Sequence, residues 1–165
     1  MVTAEKIIRF FGMKPLPAEG GYYVETYRAK EKIALTGRFT AERSFTSAIL
    51  YLLTPDTLSK LHKLASDEIY HFYLGDPVTM LQLHPYGSSE VIILGQDILN
   101  AQRVQVTAPK DTWQGAFLNQ GGKFALMGTT MVPGFEFDDL ELGTREELLQ
   151  RYPNQKELIL KLTQK

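Results

Sequence analysis

The residues best placed to do chemistry are a histidine and a glutamate in the segment 60–75, K-L-H-K-L-A-S-D-E-I-Y-H-F-Y-L-G. His62 falls in one strand-like run and Glu68 at the head of the next, ahead of the Gly75 turn. Two adjacent antiparallel strands bring such side chains onto one sheet face. Strict alternation groups Leu58, Lys60, His62 and Leu64 on one face, and Glu68, Tyr70, Phe72 and Leu74 on another. Turned inward together, they give the interior a base, an acid, an ammonium and two aromatic rings. Burial raises a carboxyl pKa and lowers those of imidazole and ammonium, and mutual pairing opposes both shifts. Histidine titrates near neutrality, so His62 is the expected base, Glu68 its partner or the acid, and Lys60 a stabiliser of developing negative charge.

A second segment, 109–115 (P-K-D-T-W-Q-G), reads as the strand that completes a cavity. Alternation turns Gln114 inward and Trp113 outward, toward an outer core or a subunit contact. His62, Glu68 and Gln114 are then a candidate three-ligand set for a weakly held divalent metal ion. In the run 22–27, Tyr23, Glu25 and Tyr27 alternate with Tyr22, Val24 and Thr26. That aromatic–carboxylate–aromatic row suits either a sugar-like ring or a partner subunit. His71 is expected to point outward and His84 to end a strand in solvent. Asp138, Asp139 and Glu141, close to Pro133-Gly134, are expected in a solvated loop.

The elements that must position these groups are short strands. Runs at 22–27, 32–35, 45–53, 58–64, 68–74, 78–84, 90–94, 104–108, 113–118 and 123–131 are separated by turn signals such as Thr54-Pro55-Asp56, Gly75-Asp76-Pro77 and Gly121-Gly122. This spacing predicts an antiparallel sandwich or barrel. Thr3 caps a predicted helix over 4–11 that Gly12 stops. Residues 97–102 read as a helical turn. At the other end Thr144 and Glu147 match a capping box for a helix over 145–151, Pro153 breaks it, and an amphipathic helix follows over 155–162. One domain over 1–165 is expected, with a barrel at about 20–140 and a helical tail at about 144–163.

The 165 residues suffice for a sizeable core, and 44% hydrophobic with 22% charged residues is ordinary globular composition. A net charge of −1 without a basic run argues against nucleic acid as a partner. The absence of cysteine excludes disulfides, thiolate metal ligands and thiol nucleophiles. Apolar runs are too short to span a bilayer, and no secretory core opens the chain, so no membrane role and a cytoplasmic location are expected.

Segment 60–75 resembles the first motif of the cupin superfamily, in which two histidines spaced H-x-H precede a glutamate and a glycine. His62 matches the second histidine, and Glu68 lies the family's distance before Gly75; Lys60 stands in place of the first histidine. Segment 109–115 resembles the second motif, P-x-G-x-x-H, with Asp111 for the glycine and Gln114 for the histidine. Together with S-D-E-I-Y-H-F-Y-L-G-D-P, T-W-Q-G and P-G-F-E-F-D-D, the chain is most similar to the uncharacterised small cupins of cupin family 5. The run from Glu19 to Tyr27 resembles the D-E-R-G-F-F-x-E-S-F segment of dTDP-sugar 3,5-epimerases, also cupins, and S-K-L-H resembles their R-G-L-H at His62. The resemblance implies a mostly β, double-stranded β-helix (jelly roll) with a short N-terminal helix and C-terminal helices, commonly dimeric, and a possible divalent metal. It names no agreed activity. The expected function is binding of a small polar or carbohydrate-like metabolite by His62, Glu68, Lys60, Gln114, Tyr70, Phe72, Tyr23 and Glu25. Isomerisation or epimerisation with His62 as base is the first guess at turnover. Metal-assisted chemistry is second, and a non-catalytic binding or storage-like role is the alternative.

Overall fold

The computed structural model describes residues 1–39 and 41–163. Alternating runs become strands, some paired with their sequence neighbours and most with strands far away in sequence. In chain order they are β1 (Lys14–Pro15), β2 (Tyr22–Arg28), β3 (Lys32–Ile33), β4 (Arg43–Ser44), β5 (Ser47–Leu53), β6 (Leu58–Leu64) and β7 (Asp67–Gly75). There follow β8 (Val78–Leu83), β9 (Ser89–Leu94), β10 (Gln105–Ala108), β11 (Trp113–Leu118), β12 (Ala125–Val132) and β13 (Leu140–Leu142). Helix α1 spans Ala4–Phe11, α2 Arg145–Arg151 and α3 Lys156–Leu162.

A six-stranded sheet in the order β1-β2-β5-β12-β7-β10 faces a five-stranded sheet in the order β13-β6-β11-β8-β9. All the ladders within them are antiparallel, and non-consecutive neighbours mark the crossovers of a jelly roll. The sheets do not close into a continuous barrel. They enclose a core in which Tyr51, Tyr70, Phe72, Met80, Leu94 and Met127 meet.

Both outer faces are covered in part by helices. Ile7 of α1 and Met13 pack with Leu52, Phe124 and Leu126 on the six-stranded sheet. The Thr3 hydroxyl accepts from the Lys6 N–H and Gly12 takes φ 62°, so this helix starts and stops where its residue types require. Leu148, Tyr152, Ile159 and Leu162 of the C-terminal segment pack on Leu61, Leu81, Leu83 and Trp113. Trp113 is therefore outer core, the first of its two expected roles.

Two expectations fail at the C-terminal end. Thr144 makes no capping hydrogen bond, so the T-x-x-E pattern is not a working capping box. The reciprocal box forms instead between Glu136 and Asp139 at the 3-10 turn Phe137–Asp139. The second expectation concerned the acidic loop. Asp138 and Glu141 are exposed as expected, but the Asp139 side chain is buried against Arg43 (2.8 Å), and Glu141 lies in β13, paired to Lys63 at 3.1 Å.

Candidate functional site

The site grows from a break in the alternation of β6. Opposite β11, Gln114 pairs with His62 but Ala116 pairs with Ser59, so β6 carries one extra residue between them. Ser59 and His62 have opposite parity, yet both are buried beside Glu19, while Leu61 joins the outer core. Leu58 also packs with the outer cluster. The expected face of Leu58, Lys60, His62 and Leu64 is therefore split.

Lys60 spans the bulge, and it serves the site through its backbone. Its N–H donates to the Glu19 carbonyl (2.9 Å), and its own carbonyl accepts from His62 Nδ1–H (2.7 Å). Among the described residues, no hydrogen bond or ion pair ties its ammonium to His62 or Glu68. Its side chain is half-buried and does not line the cavity described below.

A carbonyl only accepts, so Nδ1 holds the proton of neutral His62 and Nε2 carries the lone pair. Nε2 is buried, has no hydrogen-bond partner, and lies 3.8 Å from Glu19 Oε2. The other Glu19 oxygen accepts from Ser59 Oγ at 2.7 Å. Glu19 is 8% exposed. It sits at the end of a turn that bonds back on itself (Gly20 N–H to the Leu16 carbonyl, 3.1 Å). Gly20 and Gly21 follow with φ of 108° and 73°. A Cβ on Gly20 would stand 2.3 Å from the Leu58 carbonyl oxygen, and one on Gly21 would meet the Tyr51 ring. The two glycines thus let the turn lie against β5 and β6. Tyr51 locks it by donating to the Gly20 carbonyl (2.8 Å).

Alternation holds on β7 from Glu68 to Phe72; an extra residue at Tyr73 then breaks it opposite β12, and Leu74, expected inward, is 42% exposed. Glu68, Tyr70 and Phe72 face inward, and His71 faces outward, where its ring stacks on Tyr73. Glu68 accepts from Gln114 Nε2 at 2.8 Å, a bond across the two sheets. Burial pushes the Glu68 carboxyl up, and the charge of Glu19 pushes it further; His62 and the Thr129 and Tyr70 hydroxyls oppose the shift. The hydroxyls of Tyr51 and Tyr70 are held well above their usual range, first by burial and then by these carboxylates.

A cavity of about 310 Å³ opens from this cluster. Glu19, Glu68, Thr129, Leu16, Leu64 and Met131 line its buried part. Tyr23, Glu25, Arg28, Phe135, Glu136 and Phe137 line its more exposed part. His62, Gln114 and Tyr70 stand behind the lining. Phe72 belongs to the hydrocarbon core and not to the cavity wall, which corrects its expected ligand contact.

A second bulge shapes the outer part. Glu25 pairs with Ile49 but Tyr27 pairs with Ala48, leaving Thr26 as the extra residue. Tyr27 is turned out and 55% exposed, and Arg28 takes the expected place of Tyr27 in the row with Tyr23 and Glu25. Its guanidinium grips Glu25 (2.8 Å), Glu136 (3.0 Å) and the Phe135 carbonyl (2.9 Å).

Sequence reasoning missed Glu19, Ser59, Thr129, Arg28 and Glu136. Thr129 was findable, because it lies two residues from both Met127 and Met131 on one strand. Glu19 carried a weaker signal, a carboxylate wedged between a proline turn and two glycines.

The proposed metal ligands do not assemble into a metal centre. Among the described residues no three His, Asp or Glu side chains converge closely enough to hold an ion. The site has a single imidazole, and Gln114 turns its amide N–H toward Glu68. This donor set does not fit a divalent transition metal, which favours several imidazole, thiolate or carboxylate ligands. Among the described residues no helix is long and apolar enough to cross a membrane.

Known proteins place this geometry. The chain is 34% identical to protein SO0799 from Shewanella oneidensis, whose crystal structure superposes with a TM-score of 0.88 over 99% of both chains. It is 27% identical to a hypothetical protein from Leishmania major, with a TM-score of 0.90 over 99% of this chain and 100% of that one. Bacillus subtilis oxalate decarboxylase, whose Mn(II) centres have been studied, shares the fold alone: 14% identity, TM-score 0.56, 92% of this chain and 38% of the enzyme. No curated protein matches. The family described as "Cupin superfamily (DUF985)" matches residues 5–143, and with the jelly roll and both motif strands in place the chain belongs to it.

Proposed function

We propose that the cavity binds a small polar, carbohydrate-like metabolite and isomerises or epimerises it by proton transfer. One observation carries the reading. A buried imidazole nitrogen without a hydrogen-bond partner, His62 Nε2, lies 3.8 Å from a carboxylate that lines the cavity, and a second carboxyl whose pKa is raised, Glu68, lines the same cavity. Glu19 with His62 behind it is the base: Glu19 meets the ligand, and His62 Nε2 accepts the proton or holds the pair's charge. Glu68, inclined to keep its proton, is the acid. Two titratable groups with unlike environments are the usual arrangement for such a division of labour. Tyr23 and Glu25 supply an edge for the ring. Because the metal donor set does not assemble, no step is routed through a metal ion.

The test is wash-in of solvent deuterium at carbon, followed by proton NMR, over a panel of aldoses, ketoses and uronic acids. Wild type should exchange one class. His62→Ala should slow that exchange by about 10²–10⁴-fold, the usual contribution of a general base, while sparing most of the affinity. Equal loss of exchange and affinity supports the second reading, a binding or storage-like role without turnover. That reading draws on the fact that His62 stands behind the lining and does not itself form the wall.

This reading also takes the protein as a cytoplasmic homodimer that engages neither nucleic acid nor membrane. Ile69, His71 and Tyr73 give β7 an outer row, of which Tyr73 is 48% exposed, and a second copy would cover it. Light scattering at micromolar concentration should return twice the chain mass. A monomer mass would remove the dimer and leave the cavity proposal untouched.

A further inference from the structure

We infer that the ligand of this cavity carries a protonated amine, as a small amino-polyol does. The inference rests on the reading of the cavity as a polar-metabolite site. Four carboxylates and one guanidinium line it. The guanidinium, Arg28, is already committed to Glu25, Glu136 and the Phe135 carbonyl. The other two carboxylates, Glu19 and Glu68, lie at the buried end, where Arg28 bonds neither of them. His62, 3.8 Å from Glu19, is the only titratable nitrogen among the described groups tied to that end.

Hydrogen-bonding capacity points the same way. Several donors at the buried end already serve protein acceptors: Ser59 Oγ gives to Glu19, Tyr51 OH to the Gly20 carbonyl, and Gln114 Nε2 to Glu68. Of the buried side-chain atoms without partners among the described residues, two belong to this end, Gln114 Oε1 and His62 Nε2. Gln114 is 2% exposed and His62 1%. The first can only accept, and the second accepts in the tautomer fixed by the Lys60 carbonyl. A ligand that brings N–H and O–H donors satisfies such an end, and one that brings positive charge also answers the Glu19 carboxylate, which no lysine or arginine among the described residues pairs. A carboxylate or phosphate on the ligand would meet acceptors and like charge. Leu16, Ile49, Leu64 and Met131 take the carbon skeleton. The cavity, at about 310 Å³, has room for a six-carbon ring.

Two matched series test this: glucosamine, glucose and glucuronate; and ethanolamine, ethylene glycol and glycolate. Each is titrated into the full chain at neutral pH, with amide shifts of Leu64, Thr129 and Met131 reporting the cavity. The amine of at least one series should bind about tenfold or more tightly than its hydroxyl partner, and the acid more weakly still. Glu19→Gln, checked for its fold by circular dichroism, should cut that preference to about threefold or less. A variant that fails to fold leaves the wild-type ranking to decide. A neutral or acidic member that moves the cavity amides as strongly as the amine overturns this inference and leaves the polar-metabolite reading standing. No shift at these amides from either series overturns both.

Discussion

Glu68 owes its behaviour to where β7 begins. Its carboxyl is buried and faces Glu19, and both conditions favour the protonated form. The folded state therefore binds this proton more tightly than the unfolded chain does. It follows that Glu68 favours folding at acid pH, and that this contribution falls as pH rises from the ordinary carboxylate range through the raised folded pKa. Glu68→Gln should remove that decline: urea midpoints of wild type should drop relative to the variant between about pH 4 and neutrality. Parallel profiles would contradict the assignment. Ser59 is the second residue whose contribution is measurable. Its hydroxyl bonds a buried carboxylate, so Ser59→Ala should lower unfolding free energy by about 1.5–3 kcal/mol, read from urea melts. A change within about 0.5 kcal/mol, typical of an exposed position, would mean that Glu19 is satisfied elsewhere. Glu68, Tyr70 and Gln114 were legible in the sequence, because regular strands carry them and inward parity follows from position. Glu19 was not, since a turn residue has no periodicity to declare its direction.

At the scale of elements, the decisive features are the two bulges and the glycine turn. Each bulge adds one residue to one strand and so reverses the side-chain parity beyond it. The bulge at β6 puts Ser59 and His62 on the same side, and the one at β2 exchanges Tyr27 for Arg28. Neither bulged strand carries glycine or proline at the extra residue, and Thr26 and Lys60 look like ordinary strand residues; the β6 bulge is marked only on the facing strand, where Gly115 lies against Ser59 and Leu61. The turn before β2 is marked, by Gly20-Gly21, although its docking partner is not. Gly20→Ala would press a methyl into the Leu58 carbonyl at a φ of 108°. It should cost about 1–3 kcal/mol or more and, by shifting Glu19, weaken ligand binding in step. Full stability with retained binding would show that this turn does not hold the site.

Across the whole molecule, the C-terminal helices complete the outer face of the five-stranded sheet. Ile159 and Leu162 are fully buried there, beside the only tryptophan. Ile159→Ala should destabilise by about 2–5 kcal/mol, the range for a large side chain truncated in a core. Removal of residues beyond Gly143 should uncover Trp113 and shift its fluorescence to the red. An unshifted spectrum would mean that the indole is shielded without them.

Residue order alone settled the β class, most turns, the two helical ends and the inward faces of β7 and β11. These depend on chemistry within a few neighbouring positions: strand alternation, caps, and the limits glycine and proline place on the backbone. Only the folded chain decided that Glu19 meets His62, that Arg28 and not Tyr27 turns to the cavity, that the Asp139 side chain is buried on Arg43, and that Gln114 turns its amide N–H to Glu68. Those outcomes depend on register between strands distant in sequence and on how a turn packs against them. Such long-range packing leaves no periodic trace in any one segment.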